Sequence, residues 1–161
     1  MKLSTRGQYA VMAMVDLAKH NNNNQPMSLS SIAVRQDISL PYLEQLFGKL
    51  RRAGLVISVR GAQGGYYLAD VAQKIKLSQI IDAADEEISI TRCKSAEGLG
   101  CTKAGVCHTH NLWQALADHI ESFLQNVNLQ DLLDKKSLNG LFQLSDMSPK
   151  VGHANIDNVR V

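Results

Sequence analysis

The chain has little cysteine and no long apolar run, and both shortages restrict what it can be. Only three of its 161 residues are cysteines, and an odd number points away from a disulfide framework. The stretch from Tyr9 to Ala18 is too short for a membrane span and is broken by Asp16, so we expect neither a transmembrane helix nor a secretory signal. We therefore expect a cytoplasmic protein, where thiols stay reduced and clustered cysteines serve as metal or redox sites.

The side-chain sets that carry enzyme chemistry are also missing. We find no paired carboxylates, no Ser/His/Asp set and no phosphate-cradling glycine loop. Hydrophobic residues make up 45% and charged residues 20% of the chain, which is usual for a globular protein. The sequence thus predicts a binding protein and not an enzyme.

Positive charge is concentrated in the first half of the chain. Residues 1–70 contain eight Lys/Arg and four Asp/Glu, whereas residues 71–161 contain nine and eleven. A basic N-terminal half suggests a polyanionic partner.

Apolar spacing predicts three helices within this basic half. They run from Gly7 to His20, from a cap at Ser28 or Ser30 to about Gln36, and from a cap at Ser39 to Gly54. Two helices joined by a tight turn form a helix-turn-helix, and the second can enter the major groove of DNA. The residues expected to contact DNA from this helix are Leu40, Pro41, Tyr42, Glu44, Gln45, Lys49 and Arg52.

A predicted β-hairpin follows and makes the helix-turn-helix a winged one. The first strand runs from Leu55 to Arg60, a glycine-rich turn follows, and the second strand runs from Tyr66 to Leu68. Arg60 at the wing tip can enter a minor groove, while Gly61 and Gly64 permit close approach to phosphates.

The second half of the chain is predicted to be helical outside one cysteine-containing stretch. A short helix runs from Leu77 to Asp85 with Ser78 as its cap, and a long one from Thr109 or His110 to Val127. A last short helix from Leu129 to Asp134 is capped by Asn128. The long helix has the apolar spacing of a helix–helix seam and predicts a homodimer. The seam residues are Trp113, Leu116, Ile120, Phe123 and Val127.

All three cysteines lie between Arg92 and Trp113, beside two histidines. The pattern C-x7-C-x5-C-x2-H consists of Cys93, Cys101, Cys107 and His110, with His108 as the rival fourth ligand. Three thiolates and an imidazole can hold zinc or an iron–sulfur cluster. The pattern lacks the closely spaced cysteine pairs of zinc fingers, which favours a cluster.

Three motifs together resemble a family of winged-helix transcription regulators that carry iron–sulfur clusters. They are S-L-P-Y-L-E-Q-L-F-G-K-L-R-R-A-G-L-V, R-G-A-Q-G-G-Y-Y-L-A and C-x7-C-x5-C-x2-H-x2-W, and the resemblance extends from Met1 to about Leu133. It implies a dimeric repressor and activator of cluster assembly genes, with a [2Fe-2S] cluster ligated by Cys93, Cys101, Cys107 and His110. The assembly machinery would be the source of the cluster, and double-stranded operator DNA the partner.

The resemblance also implies that cluster occupancy alters operator choice, with Glu44 disfavouring one operator class in the cluster-free state. The interval between Cys93 and Cys101 is longer than is usual, which leaves a [4Fe-4S] cluster as an alternative. Pro41 stands where a hydroxyl residue is frequent in the family, so we expect one base or phosphate contact to be absent. The alternative functions are a nitric-oxide- or iron-responsive regulator of the same family, a small cluster-carrying redox protein, and a zinc-stabilised DNA-binding protein without sensing.

The expected fold class is mainly α with a small β-hairpin wing. We divide the chain into a winged helix-turn-helix DNA-binding domain (1–76), a connecting helix (77–91) and a cluster-binding loop (92–110). A dimerisation helix with a short closing helix (109–134) and a disordered tail (135–161) complete it.

Overall fold

Six helices and one β-hairpin make up the part of the chain that the structure, a computed structural model, describes: residues 5–20, 25–61, 63–84 and 108–134. In chain order they are α1 (Thr5–His20), α2 (Leu29–Gln36), α3 (Leu40–Arg52), β1 (Val56–Val59), β2 (Gly65–Leu68), α4 (Leu77–Ala83), α5 (His110–Asn126) and α6 (Leu129–Leu133). This confirms the predicted fold class of a mainly helical chain with one hairpin. None of these helices is both long and apolar enough to cross a membrane.

The core lies where α1, α3 and α4 meet, and the predicted apolar faces form it. Phe47 of α3 is fully buried and meets the ring of Tyr66 from β2 edge-on, with ring centroids 5.0 Å apart. The other large side chains that are fully buried in the described part of the chain are Met14, Leu17, Ile32, Leu43, Leu50, Ile80, Ile81, Val127 and Leu129. Burying one such side chain contributes about 1.5–3 kcal/mol, so this cluster accounts for much of the stability of the fold.

Two of the predicted helix caps form hydrogen bonds as expected. The side chain of Ser28 accepts from the backbone N–H of Ser31 at 3.2 Å, and that of Asn128 accepts from Asp131 at 3.1 Å. Each side chain satisfies a backbone donor that a helix N-terminus would leave unpaired. Ser39 precedes α3 as expected but makes no such bond.

The predicted cap of α4 was wrong. The helix begins at Leu77, so Ser78 lies within its first turn and Lys76 occupies the cap position. The start of α4 is set by a distant segment. The Leu77 N–H donates to the carbonyl of Val127 at 3.0 Å, and the backbone of Lys76 forms an isolated antiparallel β-bridge with that of Asn128. The predicted end at Asp85 lies outside the described residues.

A third backbone segment holds the hairpin. Strands β1 and β2 pair antiparallel, from Val56 opposite Leu68 to Val59 opposite Gly65. On the other side of β2, Met27 and Tyr66 exchange two backbone hydrogen bonds of 3.0 and 2.9 Å. A side chain at Gly65 would place its Cβ 2.4 Å from the Met27 carbonyl oxygen, so this approach requires glycine.

A buried ion pair joins α1 to α2. The Asp16 side chain is 3% exposed, and its carboxylate accepts from Arg35 Nε at 3.1 Å and from Arg35 Nη2 at 2.7 Å. Gln36 donates to the same carboxylate at 3.0 Å. Burial raises the pKa of Asp16, but the hydrogen bonds from Arg35 and Gln36 and the charges of Arg35 and His20 outweigh burial and lower it below 3.8.

Helix α5 divides its apolar residues between the core of its own chain and solvent. Val127, which follows the helix, is fully buried, and Phe123 packs against the core. Val127 has no surface to offer a second chain, so placing it in a dimer interface was wrong. At the other end of α5, Leu112 is 61% and Trp113 40% exposed.

Candidate DNA-binding face and metal centre

The outward face of α3 carries a stripe of polar side chains. Tyr42, Gln45, Lys49 and Arg52 recur every three or four residues, which places them on one side of a helix. Gln45 and Arg52 are exposed, whereas Tyr42 and Lys49 are partly buried. Opposite this stripe, the apolar residues of α3 enter the core, so the polar side chains face outward and are available to a ligand.

The N-terminal end of α3, where a helix in a major groove reaches base edges, is accessible. Leu40 is 38% exposed, and Pro41 and Glu44 are also exposed. Tyr42 is supported from α1, because the ring of Tyr9 meets it edge-on with centroids 5.8 Å apart. Such a contact restricts the tyrosine to few orientations and so fixes where its hydroxyl points.

A cleft of about 80 Å³ opens beside the same stripe, between α1 and α3. The described residues that line it are Arg6, Tyr42, Gln45, Leu46 and Lys49. Arg6 was not predicted as a site residue, because the spacing of apolar residues along α1 does not indicate which residues of α3 it faces.

The wing places Arg60 at the end of β1 with an exposed side chain. Gly61 has a φ of +122° and accepts a backbone hydrogen bond of 2.9 Å from Gly64. A Cβ at Gly64 would lie 2.5 Å from the carbonyl oxygen of Val59. The tightness of the turn therefore accounts for Gly64 without any ligand, while the exposed Arg60 remains a candidate contact.

Of the residues predicted to form the metal centre, the structure describes only those at its C-terminal end. Cys93, Cys101 and Cys107 lie outside the described residues, whereas His108 and His110 lie within them. His108 is exposed and precedes α5, and His110 is the first residue of the helix. Within the described ranges no three His, Cys, Asp or Glu side chains come together as a metal site would require.

The two histidines differ in their surroundings. His110 Nδ1 is buried and has no hydrogen-bond partner among the residues that the structure describes. A buried polar atom without a partner is uncommon, because leaving it unsatisfied costs about 1–3 kcal/mol. A metal ion is one group that would satisfy it, and the donor set that His110 would complete with three thiolates suits zinc or an iron–sulfur cluster.

The two helices α2 and α3, the wing behind them and the outward polar stripe define a winged helix-turn-helix transcription regulator. Residues 3–135 match Rrf2, described as an iron-dependent transcriptional regulator. The chain belongs to the Rrf2 family.

Individual relatives agree with this assignment. The chain is 46% identical over 138 residues to the HTH-type transcriptional regulator IscR of Pectobacterium carotovorum, covering 86% of this chain and 82% of the relative. The solved structure of T. potens IscR is 41% identical, with a TM-score of 0.65 over 89% of this chain and 93% of the other. CymR, the global cysteine regulator of B. subtilis, is 36% identical, with a TM-score of 0.69 over 85% and 99%. The resemblance drawn from the motifs, which was to IscR, is confirmed, and these relatives are transcription regulators and not enzymes.

Proposed function

We propose that the protein is a cluster-sensing regulator that binds operator DNA as a homodimer through α3 and the wing. A [2Fe-2S] cluster would be held by Cys93, Cys101, Cys107 and His110, and its occupancy would alter operator choice at cluster assembly genes. The observation that carries the cluster is the buried Nδ1 of His110, which has no hydrogen-bond partner within the described ranges and lies three residues after Cys107.

The DNA contacts follow from the polar stripe on α3. Gln45 is suited to read adenine through paired hydrogen bonds, and an exposed Glu44 can accept from cytosine N4. Lys49 and Arg52 lie further along the stripe and would contact backbone phosphates, which set position and affinity. Arg60 reaches the adjacent minor groove from the wing.

The cluster would act on the DNA-binding half through α5. This helix of 17 residues is about 25 Å long at 1.5 Å per residue. Its first residue is the proposed ligand His110, and its far end is tied to the segment before α4 by the hydrogen bonds Leu77 N to Val127 O and Leu129 N to Ile75 O, of 3.0 and 2.9 Å. A change in how His110 is held would thus move a rigid element that is anchored in the core of the winged helix.

The exposed apolar part of α5 would pack against the same helix of a second copy of the chain. Leu112, Trp113, Leu116 and Ile120 lie on one side of the helix and keep surface outside the core. Polar residues on the other side bond to one another, with Gln114 donating to Asp118 at 2.9 Å. A one-sided apolar stripe is self-complementary about a two-fold axis, and a dimer would present two copies of α3 to two half-sites.

Metal content tests the cluster directly. The protein is purified anaerobically, and iron, sulfide and zinc are measured with the visible spectrum. We expect about two irons and two sulfides per chain for a [2Fe-2S] centre. A colourless protein that holds only zinc would overturn sensing and leave DNA binding in place, and four of each would assign the alternative [4Fe-4S] centre.

The two histidines provide a matched pair for the fourth ligand. His110→Ala should lose cluster, or release it much faster, while His108→Ala should retain it because His108 is exposed. Cys107→Ala should lose cluster but remain folded, since the core described above contains no cysteine. If His108→Ala lost the cluster and His110→Ala retained it, the assignment of His110 as the fourth ligand would be contradicted.

Operator binding is measured by fluorescence anisotropy with the cluster present and absent. Gln45→Ala should relax the choice of particular bases, by roughly 1–3 kcal/mol for each lost bidentate contact. Arg60→Ala should weaken binding to all sequences more evenly. An equal loss of affinity for all sequences in Gln45→Ala would argue against its role in reading bases. Identical operator choice with and without cluster would contradict sensing.

Glu44→Ala should let the cluster-free protein bind the operator class that it otherwise disfavours.

The dimer is tested by sedimentation. Leu116→Lys introduces a charge on the apolar side of α5 and should shift the protein to monomer. Gln125→Lys introduces the same charge beside Glu121, to which Gln125 donates at 3.2 Å on the polar side, and should leave the dimer intact. A dimer that survives Leu116→Lys unchanged would place the interface elsewhere.

A further inference from the structure

The cleft between α1 and α3 contains a cation, Arg6, that the proposed contacts leave unexplained. It lies at the side of the helix that would enter the major groove, and its volume is about 80 Å³. Two of the five described residues that line it, Arg6 and Lys49, are cations on different helices, and Gln45 and Tyr42 can both donate hydrogen bonds. None of the described lining residues is acidic, so the cleft is chemically suited to an anion.

We propose that Arg6 and Lys49 hold one DNA backbone phosphate between them, at the edge of the groove that α3 enters. This inference rests on the proposed function, because it takes α3 as the helix that reads DNA. Arg6 becomes a phosphate contact supplied by α1, outside the helix-turn-helix and the wing.

The chemistry of the two cations supports a shared phosphate. An arginine guanidinium can donate two parallel hydrogen bonds to phosphate oxygens, whereas a lysine ammonium acts as a compact point charge. Tyr42 is held against α1 by Tyr9, with ring centroids 5.8 Å apart, so the two walls of the cleft are in contact beside the cations. A phosphate gripped from both walls would fix the rotation of α3 about its own axis and therefore the register in which Gln45 meets the bases.

The test compares Arg6→Gln with Lys19→Gln. Both changes remove one positive charge from α1, but Lys19 lies at its other end, about 20 Å from Arg6 at 1.5 Å per residue. The probe is a duplex of about 30 base pairs, long enough for two half-sites, selected from a random pool by the wild-type protein. Affinity is measured from low to high salt, and thermal unfolding of each variant checks that it remains folded.

We expect Arg6→Gln to weaken binding by about tenfold at low salt through the loss of charge-assisted hydrogen bonds. The slope of log K against log salt should fall, by at most about 2 for the dimer, because each phosphate neutralised contributes roughly 0.9 and Lys49 still faces the shared phosphate. Arg6→Lys should recover the slope, and Lys19→Gln should match the wild type. Equal behaviour of Arg6→Gln and Lys19→Gln would overturn the proposal.

A scan with single methylphosphonates, which remove the charge of one phosphate at a time, identifies the contact. At one position in each half-site, a methylphosphonate should weaken binding of the wild-type protein. At that same position it should weaken binding of Arg6→Gln and of Lys49→Gln by a smaller factor. Different positions for the two variants would refute a shared phosphate. If Gln45→Ala and Arg60→Ala also bind as tightly as the wild type, the failure lies with the proposed function and not with the cleft alone.

Discussion

Replacing Asp16 by asparagine should loosen the junction between α1 and α2. The carboxylate is almost completely buried and accepts from Arg35 at 2.7 Å and from Gln36 at 3.0 Å. Asparagine has nearly the same shape but carries no charge, and its amide nitrogen cannot accept a hydrogen bond. The change therefore removes the ion pair and leaves the guanidinium of Arg35 facing a neutral group.

The expected size of the effect follows from how far each partner is buried. Breaking a fully buried ion pair by removing one partner costs about 3–5 kcal/mol. The Arg35 side chain is 33% exposed, so water can replace part of what it loses, and about 2–3 kcal/mol is a reasonable expectation. For a chain of this length, that corresponds to a fall in Tm of about 4–12 °C.

The assay is urea unfolding followed by circular dichroism at several pH values. Because the folded-state pKa of Asp16 is lowered, its stabilisation is fully present above the ordinary value of 3.8 and is lost as the pH falls from there through the folded-state pKa. The difference between wild type and Asp16→Asn should therefore be constant near neutrality and shrink below pH 3.8.

Asp70→Asn is the matched control for this experiment. Asp70 also pairs with a cation, Lys74 at 3.3 Å, but its side chain is 49% exposed, and exposed pairs contribute little. It should shift the unfolding midpoint far less than Asp16→Asn. A loss below 1 kcal/mol for Asp16→Asn at neutral pH, on the scale set for buried pairs, or a difference that does not change on acidification, would refute the reasoning.

Further predictions concern glycines and helix caps, and urea unfolding measures each of them. Gly65→Ala should destabilise the protein by about 1–3 kcal/mol, because its Cβ would lie 2.4 Å from the Met27 carbonyl oxygen. Gly48→Ala in α3 meets nothing within 4 Å and should stabilise the helix by about 0.5–1 kcal/mol; the opposite order of these two variants would contradict the geometry. Ser28→Ala should cost about 1 kcal/mol through its lost cap bond, whereas Ser39→Ala should cost less because Ser39 makes no such bond. Equal losses for the two serines would show that the cap bond is not what stabilises α2.

The helices could be predicted from the sequence because their signals are local. Apolar spacing located α1, α3 and α5 to within a few residues, and Ser28 and Asn128 cap the helices expected of them. The strands of the hairpin were predicted from β-branched residues and glycines, although β1 proved one residue shorter at each end than the predicted strand. Each of these features depends on residues within one or two turns of each other.

Features made by distant residues were missed or misassigned. Asp16 looked only like an interruption of an apolar stretch, since nothing in the sequence links it to Arg35 and Gln36. The start of α4 depends on Val127 and Asn128, so the local signal of Ser78 predicts the wrong cap. Helical spacing alone also could not tell whether an apolar residue such as Val127 faces its own core or a second chain.

The backbone pairing of Met27 with Tyr66 bears on how DNA binding is achieved. An isolated two-stranded hairpin is only marginally stable in water, but this one is braced by a third segment through hydrogen bonds of 3.0 and 2.9 Å. Its conformational entropy is therefore lost when the chain folds and not when the operator is bound. Arg60 would arrive at the minor groove preorganised, so its contact would add to affinity without an ordering penalty at that step.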